Sequence, residues 1–437
     1  MNAEAPPTPA KSVFVRRQLD YFQKETGESL NIWALIALLN FVTQIVFRRE
    51  LAPGEFGTLN TALAIIGMMT VPLAAAPQAF AWYLARKHPV ERHECVEALR
   101  ASRFLVTETL AWAWGALSVV LLFVIFPLLY LPRFSLDLFT LLNVLIAAGG
   151  LIGAVVCQSS GQVRLWGWLL VATALTRLIL GAGLSAVEPW AESGLAVFLL
   201  AGCITLAPAL RERSTEIAAR LQALRAVLDH DFLLYAGATF SVLLGNFLFV
   251  NADRIVAQSW FGWSINNNMG YVDWPMFDAY QTAGLLGRAL LWGTQPLLLV
   301  LFAHRSCLDK TTAASLKFFW IYLGALVGGA ILLGIFRGPL SWLFCGSHFA
   351  VTSMFTLNFA AVMVPLGLLQ ALGYFALASR RFHECFVLGG GGVGYTLLLY
   401  LVGRQPELML SYMFGGGLVL LMLVLFIGVV RWGRKQP

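Results

Sequence analysis

The stretch FVNADRIVAQSWF, residues 249–261, sets Asp253 and Arg254 side by side in a largely apolar run. A second apolar stretch, AYQTAGLLGRALLWGTQPLLLVLF at 279–302, carries Arg288 and follows directly on Asp278. The chemistry open to these groups is limited. A guanidinium grips phosphate oxygens with a planar, bidentate fork. A carboxylate pairs with a cation or takes up and releases a proton. Each is expensive at bilayer depth, about 2.5–3.5 kcal/mol per group on insertion scales, so each implies a partner or a wet surface. Adjacent residues of a helix lie about 100° apart and cannot face each other. Asp253 therefore shares a stripe with Thr239 and Asn246, while Arg254 shares another with Asn251 and Gln258. One stripe faces a cavity and the other a neighbouring helix; spacing leaves open which.

Polar residues recur on one face in other stretches. Asp278, Gln281, Gly284, Arg288, Trp292 and Gln295 fall within about 120° of arc, and Trp33, Asn40, Gln44 and Arg48 within about 80°. Arg177, with Thr173 one turn earlier, has no acid in its own stretch; Glu108 is a candidate partner. The candidate substrate-binding set is thus Arg288, Arg254, Arg177, Gln281, Trp292, Asn40, Gln44 and Arg48. The candidate ion-coupling acids are Asp253 first and Asp278 second. The competing reading is structural: polar residues that bond helix to helix, and acids held in fixed ion pairs.

The elements that position these residues are membrane helices. The chain is 59% hydrophobic and 12% charged, with mean hydropathy +0.74; a soluble domain carries about 25% charge. Twelve stretches approach the ~20 residues a span requires: 32–47, 57–84, 105–131, 137–158, 164–185, 192–210, 233–261, 275–303, 315–337, 350–379, 386–403 and 408–430. The N-terminal 31 residues contain no short apolar core with a cleavage site, which places the N-terminus in the cytoplasm. Of the 30 Lys and Arg, 22 then fall in cytoplasmic segments. That asymmetry predicts both termini inside. It also accounts for the pI of 9.2 without nucleic acid.

The expected fold is all-α, a polytopic membrane protein with two six-helix lobes. A cytoplasmic segment (1–31) precedes the first lobe (32–210). A linker helix (211–232), with Ile217, Leu221, Leu224 and Val227 on one face, leads to the second lobe (233–430) and a cytoplasmic tail (431–437). Asn40-Phe41 and Arg48 match Asn246-Phe247 and Arg254 in spacing, a faint repeat between the halves. Parallel repeats of this kind frame a site between lobes in transporters.

Several chemistries find no motif. GGGGVGYT (389–396) lacks the Lys-Ser/Thr of a phosphate loop and reads as close helix packing. His and Cys adjoin at 93–95, 304–307 and 383–385, but the ordinary reading is reduced thiols, and no metal site or cofactor is expected. The longest outer loop, 262–274, is too short for an acceptor domain, which argues for a carrier and against an enzyme. Its Trp263, Tyr271 and Trp274 suit interfacial anchoring better than sugar stacking.

FRRELAPGEFGTLNTALAIIGMM (47–69) resembles the opening of the polysaccharide-transporter branch of the multidrug/oligosaccharidyl-lipid/polysaccharide flippase superfamily. Arg49, Leu51, Pro53, Phe56 and Gly57 carry the turn motif. NADRIVAQSWFG and the Leu-Gly-Arg stretch around Arg288 are similar to its seventh and eighth helices. Two departures stand out: a longer outer loop between Asp253 and Tyr280, and Trp82 and Tyr83 where the family often has an arginine. The resemblance implies alternating access in a bacterial inner membrane. Its implied cargo is a polyprenyl-pyrophosphate-linked oligosaccharide, moved from the inner to the outer leaflet for polysaccharide biosynthesis. Membrane lipids surround it, and a polysaccharide polymerase or glycosyltransferases are its implied partners. The alternatives are a cation-coupled antiporter of the multidrug and toxin extrusion branch, which needs acidic cavity residues more than basic ones, and a membrane enzyme of polysaccharide assembly, for which Asp273 is the evident outer carboxylate.

Overall fold

A computed structural model describes residues 31–84, 134–159, 163–208, 230–266, 273–307 and 312–433. The described helices, in chain order, are α1 (Asn31–Glu50), α2 (Glu55–Leu84), α3 (Phe134–Ser159), α4 (Val163–Val187) and α5 (Ala191–Gly202, continued by a 3-10 turn to Leu206). They continue with α6 (His230–Asn266), α7 (Trp274–Cys307), α8 (Thr312–Ile335), α9 (Arg337–Cys345), α10 (Phe349–Ala378), α11 (Phe382–Val402) and α12 (Pro406–Gly433). No strand occurs among the described residues. The protein is an all-α polytopic membrane protein. Eight of these helices are long and apolar enough to cross a bilayer, nine if the bent pair α8–α9 is one span. Large apolar side chains lie exposed around the periphery, among them Ile179, Leu401, Val419, Met422 and Phe426. Against lipid such a surface carries no penalty, whereas backbone polar groups must be satisfied within each helix.

Every expected span except the third corresponds to a described helix, with changed ends. The third span (105–131), Glu108, His93–Cys95, residues 1–30, most of the linker (211–229) and the end of the tail (434–437) lie outside the described residues. The ninth span is not straight: it breaks at Phe336, and α9 leaves α8 at 68°. The loop expected at 262–274 is helical through Asn266 and again from Trp274.

The helices pack in two sets. In the N-terminal set α1 lies on α4, where Gly167 meets Ile32 and Gly181 meets Phe47; α2, α3 and α5 pack with one another. The C-terminal set closes around one apolar core fed by α6, α7, α8, α10, α11 and α12. The glycine run of α11 does what its composition suggested. A Cβ on Gly392 would sit 2.8 Å from the Gly245 Cα, and one on Gly245 would sit 2.6 Å from the Leu388 carbonyl oxygen. Two backbones are in direct contact there, which only glycine permits.

The two sets meet along α2 and α6, which run antiparallel. Thr61 lies opposite Arg254 and Gly67 opposite Phe247. A second apolar cluster joins Phe47, Phe56, Leu59 and Leu195 of the first set to Leu285, Leu286, Phe344 and Ala360 of the second.

The Gly245–Gly392 contact leaves no room for a side chain, and overpacking a tight interior costs about 1–3 kcal/mol. Gly392→Leu is expected to lower the melting temperature of the detergent-solubilised protein. Gly390→Leu, where a Cβ meets nothing within 4 Å, is expected to leave it unchanged.

Candidate functional site

Asp253 faces inward, into the C-terminal set. It forms an ion pair with the guanidinium of Arg288, whose Nη2 reaches both carboxylate oxygens. Both side chains are fully buried. Arg288 Nε donates to the Val250 carbonyl oxygen at 2.6 Å, and the Tyr280 hydroxyl donates to Asp253 Oδ2 at 3.4 Å. The Phe359 ring lies 5.7 Å from the Arg288 Cζ. Glycines make the space: a Cβ on Gly284 would fall 2.5 Å from Arg288 Nη1, and one on Gly287 would fall 2.8 Å from Phe359 Cβ. The expectation that Arg288 lines an open cavity is therefore corrected. In this conformation it is sealed between α6, α7 and α10, where the Asp253 carboxylate supplies the countercharge that a buried guanidinium requires.

Arg254, one residue on, turns to another surface. Its carbonyl accepts from Thr61 of α2 at 3.3 Å, so this part of α6 lies against the N-terminal set. The side chain is only 5% exposed, and its Nε and Nη2 have no hydrogen-bond partner among the described residues. Gln258, one turn further along the same face, and Gln281 of α7 are fully buried, and neither amide has a partner there. Arg254 stands within electrostatic reach of both Arg288 and Asp253. Two guanidiniums thus lie near one carboxylate, and the ion pair described is with Arg288.

A second polar group lies where α1 ends and α2 begins. Asp278 of α7 reaches across to the N-terminal set: Oδ2 accepts from the Gly54 N–H at 2.7 Å and Oδ1 from the Gly57 N–H at 2.8 Å. These are orphan donors at the start of α2, where the helix dipole also favours an anion. Arg48 Nη1 lies 3.7 Å from Asp278 Oδ2, and its Nε donates to the Thr282 hydroxyl at 3.1 Å. Gly54 adopts φ +88° and lies under the Trp274 ring; Gly57 lies under Phe277. Trp274 is thus a packing residue between the two sets, not a free aromatic of an outer loop. Glu55 extends the pattern: its Oε2 accepts from the Ala191 N–H at 2.9 Å, at the start of α5.

The remaining candidates lie apart. Arg177 stays within the N-terminal set, its Cζ 4.5 Å from the Phe198 ring centroid. Gln44 and Asn40 are half-buried on α1, and Gln44 Oε1 is buried without a partner among the described residues. Trp292 is 44% exposed, one turn along α7 from the buried Arg288. Tyr280, Thr282, Gly54 and Glu55 were not singled out from sequence as site residues, and Gly57 only as part of the turn motif. The signal for three of them was present in PGEFG, where a helix start and two glycines coincide.

No protein-family model and no curated protein matches the chain. Solved structures do. The lipid II flippase MurJ, in an inward closed conformation, superposes with TM-score 0.61 at 12% identity over 91% of this chain and 86% of its own. An inward-facing multidrug resistance MATE family transporter of the MOP superfamily gives 0.59 at 11% identity, over 94% of this chain and all of its own. The eukaryotic MATE transporter AtDTX14 gives 0.56 at 12%, over 92% and 94%. The chain shares its fold with these membrane transporters.

Breaking one half of a buried ion pair costs about 3–5 kcal/mol, whereas replacing both halves by apolar residues is often neutral. Arg288→Met or Asp253→Leu alone is therefore expected to destabilise the solubilised protein sharply. The double substitution is expected to recover most of the loss in a thermal-unfolding assay.

Proposed function

We propose that this protein is a flippase that carries a lipid-linked oligosaccharide bearing a phosphate or pyrophosphate from the inner to the outer leaflet by alternating access. One observation carries the reading: Arg254 is a buried cation at the meeting of the two helix sets, with donors that nothing else described consumes. A guanidinium held there without an anion is costly, and a phosphate ester that arrives when the sets part would relieve that cost. Gln258 and Gln281 add unused amides, suited to phosphate oxygens or sugar hydroxyls. Both acids first named for coupling are occupied, Asp253 by Arg288 and Asp278 by two backbone N–H groups. The free polar capacity among these residues is cationic and neutral, which favours an anionic cargo over a cationic drug. The likeness to a lipid II flippase supports the same class of cargo. On this reading the protein works in a bacterial inner membrane, with glycosyltransferases supplying the cargo and a polymerase consuming it.

The likeness to MATE transporters supports a second reading, a cation-coupled drug antiporter. Transport in proteoliposomes separates the two. With a labelled polyprenyl-pyrophosphate saccharide, Arg254→Met is expected to reduce flipping by an order of magnitude or more. It should also raise thermal stability, because an unpaired buried charge is removed. Arg254→Lys keeps the charge but loses the fork and should recover only part of the rate. Wild-type flipping by Arg254→Met would end the anionic-cargo reading. Efflux of cationic drugs without flipping would establish the antiporter.

A further inference from the structure

The Asp278 group differs from the Asp253 pair in two respects. Its bonds run between the two helix sets, and it borders an open cleft. A cleft of about 1230 Å³ opens beside it. Arg48, Arg49 and Pro53 line it from the N-terminal set, Asp273 from just before α7, Met276 and Asp278 from α7, and Trp342 and Met354 are among the residues of α9 and α10 that complete it. Asp278 itself is fully buried, yet it forms part of this cleft's lining. The side chain is thus dry where it holds α2 and adjacent to a path for water.

We propose that Asp278 is the coupling-proton site of this carrier and that its protonation unlatches the two helix sets at this end. The proposal rests on the alternating-access reading above and adds the regulation of that movement. As a carboxylate, Asp278 offers one acceptor oxygen to each N–H, Gly54 and Gly57. A proton delivered from water in the cleft converts one oxygen to a hydroxyl and removes the negative charge. The new O–H is a donor aimed toward N–H donors, so the acid can keep at most one of the two bonds well, and the attraction to the α2 dipole is lost. The freed N–H groups are then solvated through the cleft. Deprotonation reverses each step, so the latch holds at high pH and releases at low pH.

Every charged neighbour of the latch bears on this titration. Arg48 of α1 favours the carboxylate, and Glu55 of α2 opposes it. Asp273 and Arg49 line the same cleft. The parts of α9 and α10 that line the cleft bring no charged side chain, only the Cys345 thiol. Asp253 is not among the residues that line this cleft, and its ion pair lies within the C-terminal set, so the geometry assigns the coupling role to the second of the two acids first considered.

The test follows the sets directly and needs no cargo. Val187 ends α4 beside Pro189, whose carbonyl accepts from Ala52. Gln405 follows α11, whose Tyr400 accepts from Trp260 near the end of α6. Both are exposed at the latch end. Spin labels at these two positions, in protein with the native cysteines replaced and reconstituted in nanodiscs, report their separation by pulsed electron resonance at about pH 5 and about pH 8, values chosen to bracket a carboxylate whose titration burial and neighbours perturb. In the wild-type sequence the long-distance population should rise several-fold at the lower pH. Asp278→Asn should lose that response and show the long distance at both values. Asp273→Asn should respond as wild type. Arg48→Gln, which leaves the carboxylate in place, should shift the transition to higher pH, and this variant keeps the test open if Asp278→Asn fails to fold. A wild-type protein with no response, an Asp278→Asn protein that responds normally, or an unshifted Arg48→Gln transition would each overturn the proposal. None of these results would touch the Arg254 cargo reading, which stands or falls on flipping.

Discussion

A charge inside an apolar medium must find its counterpart, and the arrangement of this protein follows from how each one does so. Asp253 and Arg288 settle theirs by meeting in the core of the C-terminal set, where Gly284 and Gly287 open the space they occupy. That pairing decides which way α6 is turned about its axis. With Asp253 fixed inward, the next residue is carried about 100° round the helix, toward α2. Arg254 faces the partner set because Asp253 does not. One ion pair thereby gives the second arginine its unpaired position.

Much of this was legible in the residue pattern. Composition and charge asymmetry implied a polytopic helical protein, and the two-stripe reading of α6 separated Asp253 from Arg254. The glycine run of α11 was legible as close packing for a simple reason: no other role suits so many missing side chains in an apolar span. What the pattern did not contain was pairing across distance. Nothing local says that Asp253 will choose Arg288, or that Asp278 will bond to backbone N–H groups more than 200 positions earlier in the chain. A backbone donor has no letter in the sequence. The expectation that Arg288 lines a cavity failed on the same point, since a polar stripe looks alike whether it meets water or one well-placed carboxylate. The bend between α8 and α9 was missed because hydropathy measures length in residues and is blind to direction.

The two carboxylates Asp253 and Asp278 illustrate how environment divides chemically identical groups. Asp253 has a full countercharge and lies outside the lining of the Asp278 cleft, so it acts as a structural tie. Asp278 has a more distant arginine, two peptide N–H groups and a cleft beside it. Its stabilisation comes from Arg48 and from peptide dipoles, all belonging to the other helix set, and these move when that set moves. A group held in this way is sensitive to conformation in a manner that a group held by a neighbour in its own lobe is not.

The Glu55 carboxylate gives α2 a load path of its own. Asp278 grips the start of α2 from one side, and Glu55, on α2 itself, grips the start of α5 from the other. Any pull applied through Asp278 is therefore passed along α2 into α5, while the Ala52 bond to Pro189 braces the same corner. The Glu55 contact lies within the N-terminal set, so on the proposed unlatching α2 would travel with α5 as ballast of that set, and the seam would open on the α7 side of α2.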